Sequence, residues 1–238
     1  YYELGVCAVN TVKMIRLDVL TMKQYYKTYL FLLAYPLFLF PFFRSFVSVL
    51  SFSLVITAST AASVFSVAEK NQLSRLYSSL AVTKNGMISG RYAFVLLHAP
   101  VFITAVSVLG AAVNAVIGRA FDYKELLLGI GLSVVLFSYT AGFQLPLVFR
   151  MGYTKSRYVI VVPFMLIGIG VFLFNRNGSG INFYIPGIVQ TFNNLYENNI
   201  WTLFLGCILI SLLILAISYS VTLFLTRNRT VAALTAEV

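Results

Sequence analysis

One histidine, His98, seven carboxylates and two cysteines make up nearly all the metal-ligating and acid–base side chains of this chain. A metal hydrolase needs several such ligands brought to one point, and scattered single acids do not supply them. A serine nucleophile needs a paired base, which no serine here has at a recognisable spacing. Intramembrane proteolysis would need paired Asp, Ser with His, or zinc ligands inside apolar segments, and Asp18 and Asp122 both lie outside those. The G-x-x-x-x-G-K-[ST] pattern that cradles nucleotide phosphates is missing. His98, two residues before Pro100, reads as a packed or interfacial histidine rather than a proton relay. Cys7 and Cys207 read as free, packed thiols. The residues therefore predict no catalytic site, no bound cofactor and no metal.

Composition explains what such a chain is for. Of 238 residues, 60% are apolar and 10% charged, where a soluble domain carries about a quarter charged residues. At roughly 20 apolar residues per crossing, the length predicts an all-α polytopic membrane protein of six transmembrane helices. Hydropathy places the spans near 28–43, 46–68, 87–117, 126–149, 158–174 and 200–225. No linker, charge block or repeat divides them, so one transmembrane domain is expected. It comprises an interfacial helix over 1–27, a bundle over 28–225 and a tail over 226–238. A first residue other than Met predicts a true start upstream of Tyr1.

Orientation follows from the cations, which gather in cytoplasmic loops. With the N-terminus inside, the outer loops hold only Arg44, Arg119, Lys124 and Arg176 of the 17 Lys and Arg residues. Both termini are thus expected in the cytoplasm, N-in and C-in, in a multi-pass protein of the cell membrane. The same bias accounts for the net charge of +10 as cationic loops against anionic lipid headgroups. A nucleic-acid partner would need a clustered basic face on a soluble fold, so none is expected.

The segments between spans carry sharper patterns. Before the first span, Val12, Ile15, Val19, Met22 and Tyr26 share one helical arc, flanked by Lys13, Arg16, Lys23 and Lys27. That arrangement predicts an amphipathic helix lying in the membrane interface. Between spans two and three, Leu73, Leu76, Tyr77 and Leu80 recur at helical spacing, with Arg75 on another face. A short amphipathic helix should end near Val82, with Lys84-Asn85-Gly86 as its breaker. Such a helix can dock in a groove on a soluble partner. Between spans five and six, Phe183, Tyr184, Pro186 and Phe192 are too apolar for a wet loop. They predict either an outer gate formed by a short surface-lying helix or an interfacial loop anchored in the aromatic belt. Within the spans, Thr57, Thr60, Ser63, Asn114, Tyr139 and Gln144 are the candidates for lining a pathway. Tight packing of small residues is the competing account of span two.

Three of these segments resemble the type-2 ATP-binding-cassette (ABC) exporter permeases of bacteria. IRLDVLTMKQYYKTYLFLL, with Asp18 among cations before the first span, is similar to the opening of that family. The stretch from Glu69 through Leu80-Ala81-Val82-Thr83-Lys84 resembles its coupling segment, with Ala81 where proline is usual. Arg150-Met151-Gly152-Tyr153-Thr154-Lys155-Ser156-Arg157 is similar to its Gly-x-x-Lys-x-Arg cytoplasmic link. The resemblance implies an ATPase-coupling helix carrying Glu69, Leu73, Arg75, Leu76, Tyr77, Leu80, Val82, Thr83 and Lys84. It implies a second cytoplasmic contact at Arg150, Gly152, Lys155 and Arg157. It further implies two permease chains, as a homo- or heterodimer, on two copies of a separate ATPase subunit that holds ATP and Mg. The cargo would be an amphipathic or hydrophobic peptide, lipid or drug. An ATP-independent secondary transporter, a channel-like protein and a membrane scaffold or sensor are the alternatives.

Overall fold

The computed structural model describes residues 2–43, 45–61, 63–71, 83–118, 122–159 and 195–227. These residues are helical, with no strand among them. In order they form α1 (Tyr2–Met22), a 3-10 turn (Lys23–Tyr25), α2 (Tyr26–Phe43), α3 (Phe46–Ala61) and α4 (Ser63–Lys70). There follow α5 (Lys84–Ile117), α6 (Tyr123–Met151), α7 (Tyr153–Val159) and α8 (Ile200–Thr226). Four stretches among the described residues are long and apolar enough to cross a membrane: Phe46–Lys70, Lys84–Val116, Tyr123–Met151 and Ile200–Thr226. They match the second, third, fourth and sixth expected spans. The first expected span is helical as α2 but is not among the four. The fifth expected span lies, beyond Val159, outside the described residues.

Local chemistry sets the helix ends. Thr83 caps α5, its hydroxyl accepting from the Gly86 amide at 3.2 Å, a typical N-cap bond. Lys84-Asn85-Gly86, expected to break a helix, is therefore the first turn of one. Asp122 caps α6 by accepting from the Lys124 amide at 2.8 Å. Gly118 closes α5 at φ +73° and Gly152 closes α6 at φ +77°, backbone conformations that favour glycine.

Helix directions follow from paired contacts. Gly131 faces Cys207, and Gly142 faces Ile214 and Ser218, where an added Cβ would stand 3.1 Å from Ile214 Cγ2. The contacts advance in the same sense along both helices, so α6 and α8 are parallel. Lys124 Nζ donates to the Glu197 carbonyl at 2.9 Å, beside the starts of both. Glu125 Oε1 accepts from Ser45 Oγ at 2.9 Å and from the Phe46 amide at 2.8 Å, so α3 starts at that same end. Lys84, opening α5, donates to the Thr226 carbonyl that closes α8; α5 runs the other way. The bundle thus has a Glu125 end and a Lys84 end. Met151 lies at the second and Ile200 at the first.

Helix α6 packs against both α3 and α8, and the core lies in two buried clusters. Near the Lys84 end, Phe65, Phe149, Tyr92 and Tyr219 form an aromatic group. Phe65 meets Phe149 edge-on at 5.0 Å, and Tyr92 meets Tyr219 edge-on at 5.3 Å, both favourable geometries. Near the Glu125 end, Phe40, Phe46, Val49, Leu50 and Val106 form a second buried cluster. Helix α1 packs on the first turns of α5. Thr11 bonds Ser89 at 2.9 Å and Asp18 lies 3.3 Å from Arg91. Gly90 allows Met14 to approach.

Candidate functional site

The Lys84 end is where the segments with partner-binding patterns converge. Glu69, the last acid of α4, turns its carboxylate onto the start of α7. It accepts from the Tyr153 amide at 2.8 Å, from the Thr154 amide at 3.2 Å, and from the Thr154 hydroxyl. A carboxylate at a helix start meets unpaired N–H groups and the positive end of the helix dipole. Gly152 makes this possible: its positive φ ends α6 and redirects the chain into α7. Lys84 does the converse on the other side of the loop, placing an ammonium on the carbonyl end of α8. The two roots of the expected coupling segment are thereby fastened to different elements. Leu73, Arg75, Leu76, Tyr77, Leu80 and Val82 between those roots lie outside the described residues. Thr83 is exposed as the cap of α5.

Of the second expected contact, Arg150 and Lys155 are exposed and Gly152 is half-buried. The side chain of Arg157 lies outside the description, as do Phe183, Tyr184, Pro186 and Phe192 of the expected outer gate. Thr57 is fully buried and bonds back to the Ser53 carbonyl at 2.7 Å; Thr60 does the same to Thr57 at 3.0 Å. Such back-bonding satisfies a hydroxyl inside a helix and favours the packing account of span two. Ser63 and Asn114 are half-buried. Gln144 is buried, with Oε1 unbonded among the described residues. Tyr139 lines an apolar groove of about 400 Å³ between α6 and α8. His98 is engaged through both ring nitrogens, with the Phe94 carbonyl at 2.8 Å and the Tyr29 hydroxyl at 3.1 Å, as a packed histidine would be.

Two features escaped the sequence reading. Arg91, which the charge count assigns to the cytoplasmic side, is 1% exposed inside α5, beside Asp18 at 1%. Its guanidinium also lies 4.3 Å from the centre of the Phe65 ring, a cation–π contact. Burial pushes the Asp18 carboxyl up to about 6, outweighing the opposite pull of Arg91. The second is a chain of hydroxyls behind this pair. Tyr92 lies 2.7 Å from Thr222 and 2.8 Å from Ser218, and Ser218 donates to the Gly142 carbonyl at 2.7 Å. It ties α5, α8 and α6 together at one level.

A family model described as ABC-2 family transporter protein matches residues 13–226. The chain belongs to that family. No curated protein and no solved structure matches it. As an ABC-2 family protein, the chain is a multi-pass membrane component of a transporter, in a family whose permeases are generally non-catalytic and normally work with an ATPase subunit. The match covers α2 to α8 entirely and α1 from Lys13 onward, which includes Asp18, Glu69, Lys84, Arg91 and the α7 start.

Proposed function

We propose that this chain is the permease subunit of an ATP-driven exporter for an amphipathic or hydrophobic cargo. In this reading the Lys84 end faces the cytoplasm and a separate ATPase chain, carrying ATP and Mg, seats on the loop between Glu69 and Lys84. The observation that carries it is the double fastening of that loop, Glu69 to α7 and Lys84 to the end of α8. A partner pressing on the loop then acts on α4 and α7 on one side and on α5 and α8 on the other, all at the Lys84 end, rather than on one helix. Orientation is supported by charge. Lys70, Arg150, Lys155 and Arg227 all belong to helix ends at the Lys84 end, and cations in short loops remain inside. Two permease chains would enclose the pathway. The exposed apolar face of α8, with Leu205, Leu209, Leu212 and Phe224, is available to lipid or to that second chain.

An ATP-independent carrier would place titratable groups near the middle of the bundle. The Asp18–Arg91 pair instead lies about two turns from the start of α5, which favours a structural part at one end. The deciding experiment is co-purification in gentle detergent of the intact chain and of Leu76→Asp with Leu80→Asp. An ATPase that accompanies the intact chain and is lost from the variant supports the proposal. No accompanying ATPase, or one retained equally by both with transport intact, overturns the coupling role of this loop.

A further inference from the structure

The elbow where α1 turns into α2 forms, with α5, an open trough of about 570 Å³. Its walls are Val19, Leu20, Met22, Leu30, Leu33 and Phe94, with Tyr26, Tyr29 and His98 completing them and Lys23 as the one cation. Val19, Leu20, Tyr26 and Leu30 are each more than half exposed, so the trough has no cover from the described residues. The polar atoms inside it are already used: His98 bonds Phe94 and Tyr29 through its two nitrogens. What the trough offers a ligand is therefore apolar contact within and positive charge at the mouth. Lys23 is exposed there, with the exposed Lys27 one helical turn further along. From Lys23 to Leu33 the chain rises about 15 Å, the depth of one leaflet of a hydrocarbon core of roughly 30 Å.

We propose that this elbow trough is a binding site for one anionic phospholipid of the adjoining leaflet, its headgroup on Lys23 and an acyl chain against Leu30, Leu33 and Phe94. The charge decides the headgroup, because a zwitterionic lipid would gain nothing net from Lys23.

The test uses the full chain in nanodiscs with Trp201→Phe and Leu30→Trp, so that the single indole reports from the trough wall. Brominated phosphatidylglycerol and brominated phosphatidylcholine are compared as quenchers at equal mole fraction. One lysine near a surface is worth roughly a fivefold preference for an anionic lipid. The expected result is that preference, reduced towards parity in Lys23→Gln and at high salt. Equal quenching by the two lipids means unselective boundary lipid and overturns the proposal. No quenching by either, as a second protein chain seated on the trough would give, also overturns it. Should Leu30→Trp fold poorly, native mass spectrometry of otherwise unaltered chains decides instead. Retained phosphatidylglycerol, lost in Lys23→Gln, supports the site, and equal retention by both overturns it.

Discussion

At Asp18, burial and charge act against each other, and the outcome has a sign that can be measured. The carboxyl sits at about 6 in the fold against 3.8 in an unconstrained chain, so the folded state holds this proton more tightly. That contribution to stability is fully present below about pH 4 and is lost as pH rises through 6. Thermal unfolding in detergent should show a slope between pH 4.5 and 6.5 that Asp18→Asn abolishes. Arg91→Met alone should be strongly destabilising, by about 3 kcal/mol, because it strands a buried carboxylate. In the double variant much of that loss should return, so a strictly additive result would mean that the pair is not coupled. Glu69 supports a separate expectation. Glu69→Ala removes the cap of α7 and should cost about 1 kcal/mol. Hydrogen exchange at the Tyr153 and Thr154 amides checks it, since both should exchange faster than in the unaltered chain while those of α6 do not.

Among the elements, α6 packs two neighbours closely against its glycines. Its glycines face α8 at Gly131 and Gly142 and α3 at Gly129, where an added Cβ would stand 3.3 Å from the Val47 backbone. Gly142→Leu should destabilise the bundle by about 1–3 kcal/mol through overpacking, whereas Gly206→Leu, with open space around it, should change melting little. Equal losses at the two positions would contradict the α6–α8 contact. The elements themselves were legible from hydropathy because an apolar run of helical length leaves few alternatives, and four of the expected spans recur within a few residues. Their partners were not legible. Arg91 is assigned to the cytoplasmic side because sequence shows only that it follows a polar stretch; what buries it is Asp18, on a helix that reaches it from more than seventy residues earlier. Glu125, which caps α3 across the bundle, gives no local signal either, since its bond is to a backbone amide of a distant helix. The stripe expected along Val12, Ile15, Val19, Met22 and Tyr26 is not the buried face of α1. Val12 and Val19 remain exposed, while Met14, Asp18 and Met22 turn inward.

For the whole molecule, the helix directions make a labelling prediction. With Cys7 and Cys207 replaced by serine, single cysteines at Asn71, Lys155 and Arg227 should react with an impermeant thiol reagent from one side of the membrane only. Those at Gly118, Asp122 and Glu197 should react from the other. Cysteines at Asn71 and Lys155 reacting from opposite sides would break the shared Lys84 end on which the docking proposal stands. Sequence reached this arrangement through the distribution of cations alone. The parallel course of α6 and α8, visible only from which residues touch, sets the helix directions relative to one another.

The two roots at Glu69 and Lys84 have a mechanical consequence. A loop hung from one helix can only be pushed or pulled along that helix, because any sideways load lets it swivel. A loop mounted at two points, one on each flank, resists swivelling and passes torque. Force delivered there would arrive in the bundle as a relative rotation of α7 against the α5–α8 junction, loading the Ser218–Gly142 bond that joins α8 to α6.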